Sequence, residues 1–292
     1  MRSSTGGGTC LRFHRVRQGT LFVNELTLLL SAYADGTTME NIAMKAAMTM
    51  PALLLQRPHP RSRSADLIAC LKDRMERWKK GEIDSLIHEC RSIQSRLKNL
   101  SRGPDKEGNT ARAFARLMGT GNVKGALRLI TERTDTGSLP LDSLQPDGRT
   151  VKEHLLEKHP PRQQVHGTAI CQDEPELEPH PVIFEGINGV LIRSIVQKST
   201  GSAGPSGLDA AGWRRICSSF GQASNDLCSA VARVARRLCS TYRDPKGLES
   251  FVACRLIALD KSPGVRPIGV GEVRGSSEWL CWKSLQTTFG RW

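Results

Sequence analysis

Apolar residues recur at steps of three and four along much of the chain. Over 65–80, Ile68, Leu71, Met75 and Trp78 fall on one face of a helix and leave the basic residues elsewhere. Gly81 stops that helix, and Ile83, Ile87, Cys90, Ile93 and Leu97 repeat the pattern beyond it. So short a connection predicts an antiparallel helical hairpin. Upstream, the apolar stretches 21–33 and 39–55 are split by Asp35-Gly36 and read as two packed helices, the second kinked or stopped at Pro51. Residues 1–20 are rich in Gly, Ser and Arg and show no period, which predicts a disordered basic arm with order beginning near Leu21.

Two short helices are expected over 111–118 and 123–131, on either side of Gly119 and Gly121. Thr150 and Glu153 have the spacing of a capping box for a helix holding Leu155 and Leu156, which Pro160 and Pro161 end. The stretch 159–182 has no period and sets prolines among acids, so it reads as a linker. From there Phe184, Ile187, Leu191 and Ile195 share a face, and Ser206 with Asp209 resembles a second capping box before a helix burying Trp213, Ile216, Cys217 and Phe220. In the next helix Leu227, Val231, Val234 and Leu238 form the stripe, while Arg233, Arg236 and Arg237 lie opposite as a basic face open to a partner. The period then changes. Residues 255–259 make a continuous apolar run suited to a buried strand, Pro263-Gly264 supplies a turn, and 265–270 returns, confined to an edge or bulge by Pro267. No internal repeat is evident. The fold expected is mostly α: a helical N-terminal extension over 21–158, then a helical segment over 183–273 with one short β-hairpin.

Composition narrows the chemistry. Aromatics make up 5% of the 292 residues, so the core must rest on Leu, Ile, Val, Ala and Met. With 42 Lys plus Arg against 29 Asp plus Glu, the net charge of +13 favours a polyanion such as RNA or single-stranded DNA as partner. Nine cysteines without a CxxC pair argue against a disulfide framework or structural zinc and for a reducing, intracellular location. The apolar stretch 21–34 is interrupted by Asn24 and Glu25 and too short to span a bilayer, and no signal-peptide layout precedes it, so no membrane partner is expected. No HExxH, GxSxG or phosphate-loop signature occurs, and His159 beside two prolines reads as a helix-end residue.

Lys261 and Arg266 sit near one hairpin tip, where an ammonium and a planar guanidinium can neutralise and orient a triphosphate. On spacing alone an ordinary solvated turn is the more economical account. Residues 255–269, however, resemble the fingers motif of reverse transcriptases from non-LTR-type retroelements of animal genomes. Residues 203–209, Ala-Gly-Pro-Ser-Gly-Leu-Asp, resemble the Gly-Pro-Asp-Gly loop that opens the same domain, in the family's order.

The resemblance implies an RNA-directed DNA polymerase whose fingers fragment spans 183–273. Lys261 and Arg266 would contact the triphosphate of the incoming deoxynucleotide, Gly204, Pro205 and Gly207 the template strand, and Arg255 the template backbone; Ser206 stands where many members carry Asp. The family's palm holds Mg²⁺ on three carboxylates, whereas residues 274–292 depart from its pattern. This chain is therefore expected to hold no cofactor of its own and not to polymerise alone. The alternative is a non-enzymatic basic helical nucleic-acid-binding protein that uses Arg214, Arg215, Arg233, Arg236 and Arg237 on phosphates; a protein-interaction module is a third.

Overall fold

The apolar periods become helices in a computed structural model, which describes residues 16–59, 62–101, 106–127, 139–158, 182–240, 247–261 and 264–272. In chain order these are α1 (Val16–Ala34), α2 (Glu40–Leu54), α3 (Ser64–Lys79), α4 (Ile83–Ser101), α5 (Lys106–Gly119), α6 (Val151–Lys158), α7 (Val182–Glu185), α8 (Gly189–Lys198), α9 (Ala210–Ser218), α10 (Gln222–Ser240) and α11 (Glu249–Val252). A further helical stretch begins at 123. Strands β1 (Arg255–Asp260) and β2 (Val265–Val270) pair as one hairpin, so the protein is mostly α as its pattern predicts. No helix among the described residues is long and apolar enough to cross a membrane. Most of the expected linker, the tail 274–292 and His159 lie outside the described residues.

Three helices end on the same glycine device. After α3, Gly81 takes φ 76° and its N–H donates to the Trp78 carbonyl at 3.0 Å, while Glu82 N–H reaches Arg77 O at 3.0 Å. After α5, Gly121 takes φ 71°, with Gly121 N–H on Met118 O at 3.0 Å and Asn122 N–H on Leu117 O at 2.9 Å. Gly36 closes α1 in the same way, through Tyr33 O and Ala32 O. A left-handed residue just past the helix lets two orphan carbonyls find donors, and only glycine does so without a Cβ penalty. The sequence shows no repeat at this level because the shared signal is one glycine.

The chain forms two compact units. The first comprises the described residues of 1–97, 173–255 and 270–292, and the second those of 98–172 and 256–269. In the first, α10 buries Ala223, Leu227, Cys228, Ala230, Val231, Val234 and Ala235 in one core with Phe22, Leu26, Leu30 and Tyr33 of α1 and Ile192, Ile195 and Val196 of α8. The division expected at 159–182 therefore runs differently, because α1 to α4 and α7 to α11 share a single core. In the second unit, Val151 and Leu155 of α6 pack with Ala258 of β1 and Val265 of β2.

Two local expectations change. Helix α1 starts at Val16, inside the expected arm, and buried Gly19 lies against the Phe220 ring, where a Cβ would stand 2.2 Å from Cε1. Glycine there reflects tight packing rather than disorder. Helix α2 continues through Pro51 to Leu54, since Met50, Pro51 and Leu54 are all buried and only the last turn follows the missing donor.

One buried cation ties this unit together. Arg74 on α3 is 1% exposed; its Nε and Nη2 donate to Glu89 Oε1 at 2.9 and 2.6 Å, and its Nη1 to the Leu54 and Gln56 carbonyls at 3.1 and 2.6 Å. Arg77 Nη1 takes Glu89 Oε2 at 2.6 Å. Burial pushes the Glu89 carboxyl up, yet the hydrogen bonds and charges of Arg74 and Arg77 outweigh it and hold the group below the usual glutamate range. Replacing Arg74 by Met strips the end of α2 of its donor and is expected to destabilise the fold by about 3 kcal/mol, read by urea denaturation. Because the folded Glu89 pKa is depressed, its stabilisation is complete above the unfolded value of about 4.3 and is lost as pH falls through the folded one. The stability gap between the native chain and Glu89→Gln should accordingly narrow in acid; a gap independent of pH would contradict this.

Candidate nucleic-acid interface

Residues 203–209 form a tight turn whose geometry follows from its glycines. Gly207 takes φ 77° and its N–H donates to Gly204 O at 3.1 Å. A Cβ on Gly204 would lie 2.6 Å from Gly271 O and 2.8 Å from Glu272 N, so glycine is what lets this loop meet the backbone that leaves β2. Pro205 is exposed at the tip. Ser206 is buried beneath it, and its N–H and hydroxyl donate to the two oxygens of the Glu272 carboxylate at 2.6 and 2.7 Å. The same hydroxyl accepts from Leu208 N–H at 3.2 Å.

Ser206 is thus not part of a capping box. Asp209 caps α9 itself, accepting from Gly212 N–H at 2.7 Å, and Ser206 is engaged by the buried Glu272. Sequence reasoning missed Glu272, because its partner Ser206 lies 66 residues upstream and no local spacing marks the pair. It joins the loop 203–209 to the backbone that follows β2, two segments far apart along the chain.

The hairpin presents its two cations outward. Lys261 N–H donates to Gly264 O at 3.0 Å, and the Lys261 and Arg266 side chains are both exposed. Among the described residues neither makes an ion pair or side-chain hydrogen bond, and Asp260 makes none either. Val265, next to Arg266, points the other way into the core with Val151 and Leu155. Leu139 N–H donates to Ala258 O at 2.8 Å on the same support. Thr150 and Glu153 do form the expected capping box: Thr150 N–H meets Glu153 Oε2 at 2.7 Å and Glu153 N–H meets Thr150 Oγ1 at 3.2 Å. Before that box, the Arg149 N–H and the His154 ring hold the Asp147 carboxyl down to about 2. Arg255 is half-buried, and its Nε is enclosed without a hydrogen-bond partner among the described residues.

The arginine face of α10 is largely occupied. Arg233 pairs with Asp35, and Arg237 pairs with Glu40 while its guanidinium lies 5.1 Å from the centroid of the Tyr33 ring. Helix α1 covers this flank, and the turn after it and the start of α2 bring the acids. The expected open basic face is therefore reduced to Arg236, which is half-buried with no ion pair among the described residues. On α9, Arg214 Nη1 donates to Ser199 O at 3.1 Å, and Arg215 is half-buried with its Nε unpartnered among the described residues. Where α9 meets α10, a hydrogen bond to Cys217, helped by the Arg193 charge, overcomes burial and lowers the Cys228 thiol to about 7. Among the described residues no three His, Cys, Asp or Glu side chains group so as to hold a metal ion.

The chain matches no family model, no curated protein and no solved structure.

Removal of the Glu272 carboxylate leaves two buried donors unanswered, whereas removal of the Ser206 hydroxyl leaves the backbone bond intact. Glu272→Ala is therefore expected to destabilise by about 2–3 kcal/mol and Ser206→Ala by about 1 kcal/mol. Chemical denaturation checks the order, and equal losses would contradict it.

Proposed function

We propose that the chain is the template- and nucleotide-gripping part of a non-LTR-type retroelement reverse transcriptase, an RNA-directed DNA polymerase. It binds RNA or single-stranded DNA, and Lys261 and Arg266 receive the triphosphate of an incoming deoxynucleotide. One observation carries the reading: the loop 203–209, similar to the loop that opens the family's domain, is held in a fixed turn by Ser206 on Glu272, in the backbone that follows β2. Further support comes from the two hairpin cations, exposed and without ion pairs among the described residues, in contrast to Arg233 and Arg237, which have acid partners. Gly204, Pro205 and Gly207 then contact the template through backbone, and Arg255 contacts its phosphates. Binding rests on cations meeting phosphate oxygens, an interaction strengthened by bidentate guanidinium geometry.

A second reading, a non-enzymatic basic nucleic-acid-binding protein, is favoured by Arg112 and Arg116, one turn apart on α5, and Lys124. All three are exposed and lack ion pairs among the described residues. The hairpin cations separate the two readings. Metal-free dATP should bind the native chain, and Lys261→Ala or Arg266→Ala should each weaken it by about tenfold, measured by titration calorimetry. Salt-dependent RNA binding with no triphosphate binding would instead select the second reading. Primer extension by these 292 residues with Mg²⁺ or Mn²⁺ is expected to be absent, because they contain no counterpart of the palm's metal-binding carboxylates.

A further inference from the structure

We infer that Lys158 is a positioning residue for the hairpin, aiming Arg266 and Lys261 by gripping the strand that carries Arg266. The inference rests on the nucleotide-gripping role proposed for those two cations and names the part of the chain that makes it possible. Lys158 is the last residue of α6, and its ammonium donates to the carbonyl of Val265, the residue before Arg266. A lysine ammonium is ordinarily solvated, so its use on a strand carbonyl at a half-buried site fixes that carbonyl with a charge-assisted bond.

The rest of the support acts on the same two strands. Val265 is 1% exposed and packs with Val151, Leu155 and Ala258, and Leu139 N–H holds Ala258 O of β1. Strand alternation then determines the outcome: with Val265 locked inward on α6, Arg266 must face outward, and the turn closed by Lys261 N–H and Gly264 O carries Lys261 with it. Residues 139–158, which contain no residue assigned to ligand, thus form the seat on which the ligand-facing residues are held.

Amide hydrogen exchange on the full chain tests the grip without any ligand. Lys158→Met keeps the aliphatic stem and removes the donor; it should speed exchange in 256–260 and 265–269 by about tenfold, with Lys158→Arg restoring protection and Lys261→Ala leaving it unchanged. Unaltered exchange in Lys158→Met overturns the inference. Titration with metal-free dATP tests the consequence. Lys158→Met should weaken binding as Lys261→Ala and Arg266→Ala do, Lys158→Arg should restore it, and adding Lys158→Met to the Lys261→Ala, Arg266→Ala pair should cause no further loss. A further loss in the triple variant would make Lys158 itself a phosphate contact and overturn the positioning role. If the native chain binds no dATP, the nucleotide-gripping reading falls, while the exchange measurement still decides whether Lys158 holds the hairpin.

Discussion

The first unit depends on covering α10. Its buried residues, from Ala223 through Leu227, Cys228 and Val231 to Ala235, extend beyond one narrow stripe, so a single neighbouring helix cannot shield them. Helix α1 lies along one flank, and α8 and α9 cover others, with the alanines admitting close approach. Because α1 precedes α10 by nearly two hundred residues, this constraint draws distant parts of the chain into the first unit's core. It also explains the arginines. Once α1 lies on α10, the turn after it and the start of α2 bring Asp35 and Glu40 to Arg233 and Arg237, and a face that reads as open and basic becomes an internal contact.

Buried charge follows the same rule at two further places. Arg74 is almost fully enclosed and is tolerated because a carboxylate and two helix-end carbonyls answer its donors. Glu272 is buried as an acceptor and is answered by a backbone amide and a hydroxyl from one residue, Ser206. A buried ion without partners is strongly unfavourable, so each such group specifies the segments it meets more sharply than apolar packing does. Arg74 fixes α2 against α3 and α4. Glu272 fixes the glycine turn against the backbone leaving β2.

Much of the fold is legible in the sequence because helical period and turn glycine are local signals. The separate helices α3 and α4 on either side of Gly81, the capping box at Thr150 and Glu153, and the paired strands β1 and β2 all follow from residues within a few positions of one another. What local pattern misreads is decided by distant partners. Gly19 looks like part of a disordered arm until Phe220 arrives, and Ser206 looks like a cap until Glu272 does. At the candidate site the same division holds: the two hairpin cations are visible in the sequence, whereas Glu272, Lys158 and the loss of the α10 basic face depend on contacts made across much of the chain.

The contrast between paired and unpaired cations bears on the function proposed. In the second unit, Arg149 engages Asp147 and Glu157, His154 also meets Asp147, and Glu153 closes its own helix cap. Asp147, Glu153 and Glu157 of the α6 support are therefore answered locally. Lys261 and Arg266 are left outward with Asp260 as the neighbouring acid, and that carboxylate forms no ion pair with either. An arriving polyphosphate would thus displace water rather than a protein carboxylate, which keeps the desolvation of these two cations modest and lets most of the charge attraction appear as affinity. Under the proposed reading, that is the physical reason for seating a hairpin on a helix whose acids already have local partners.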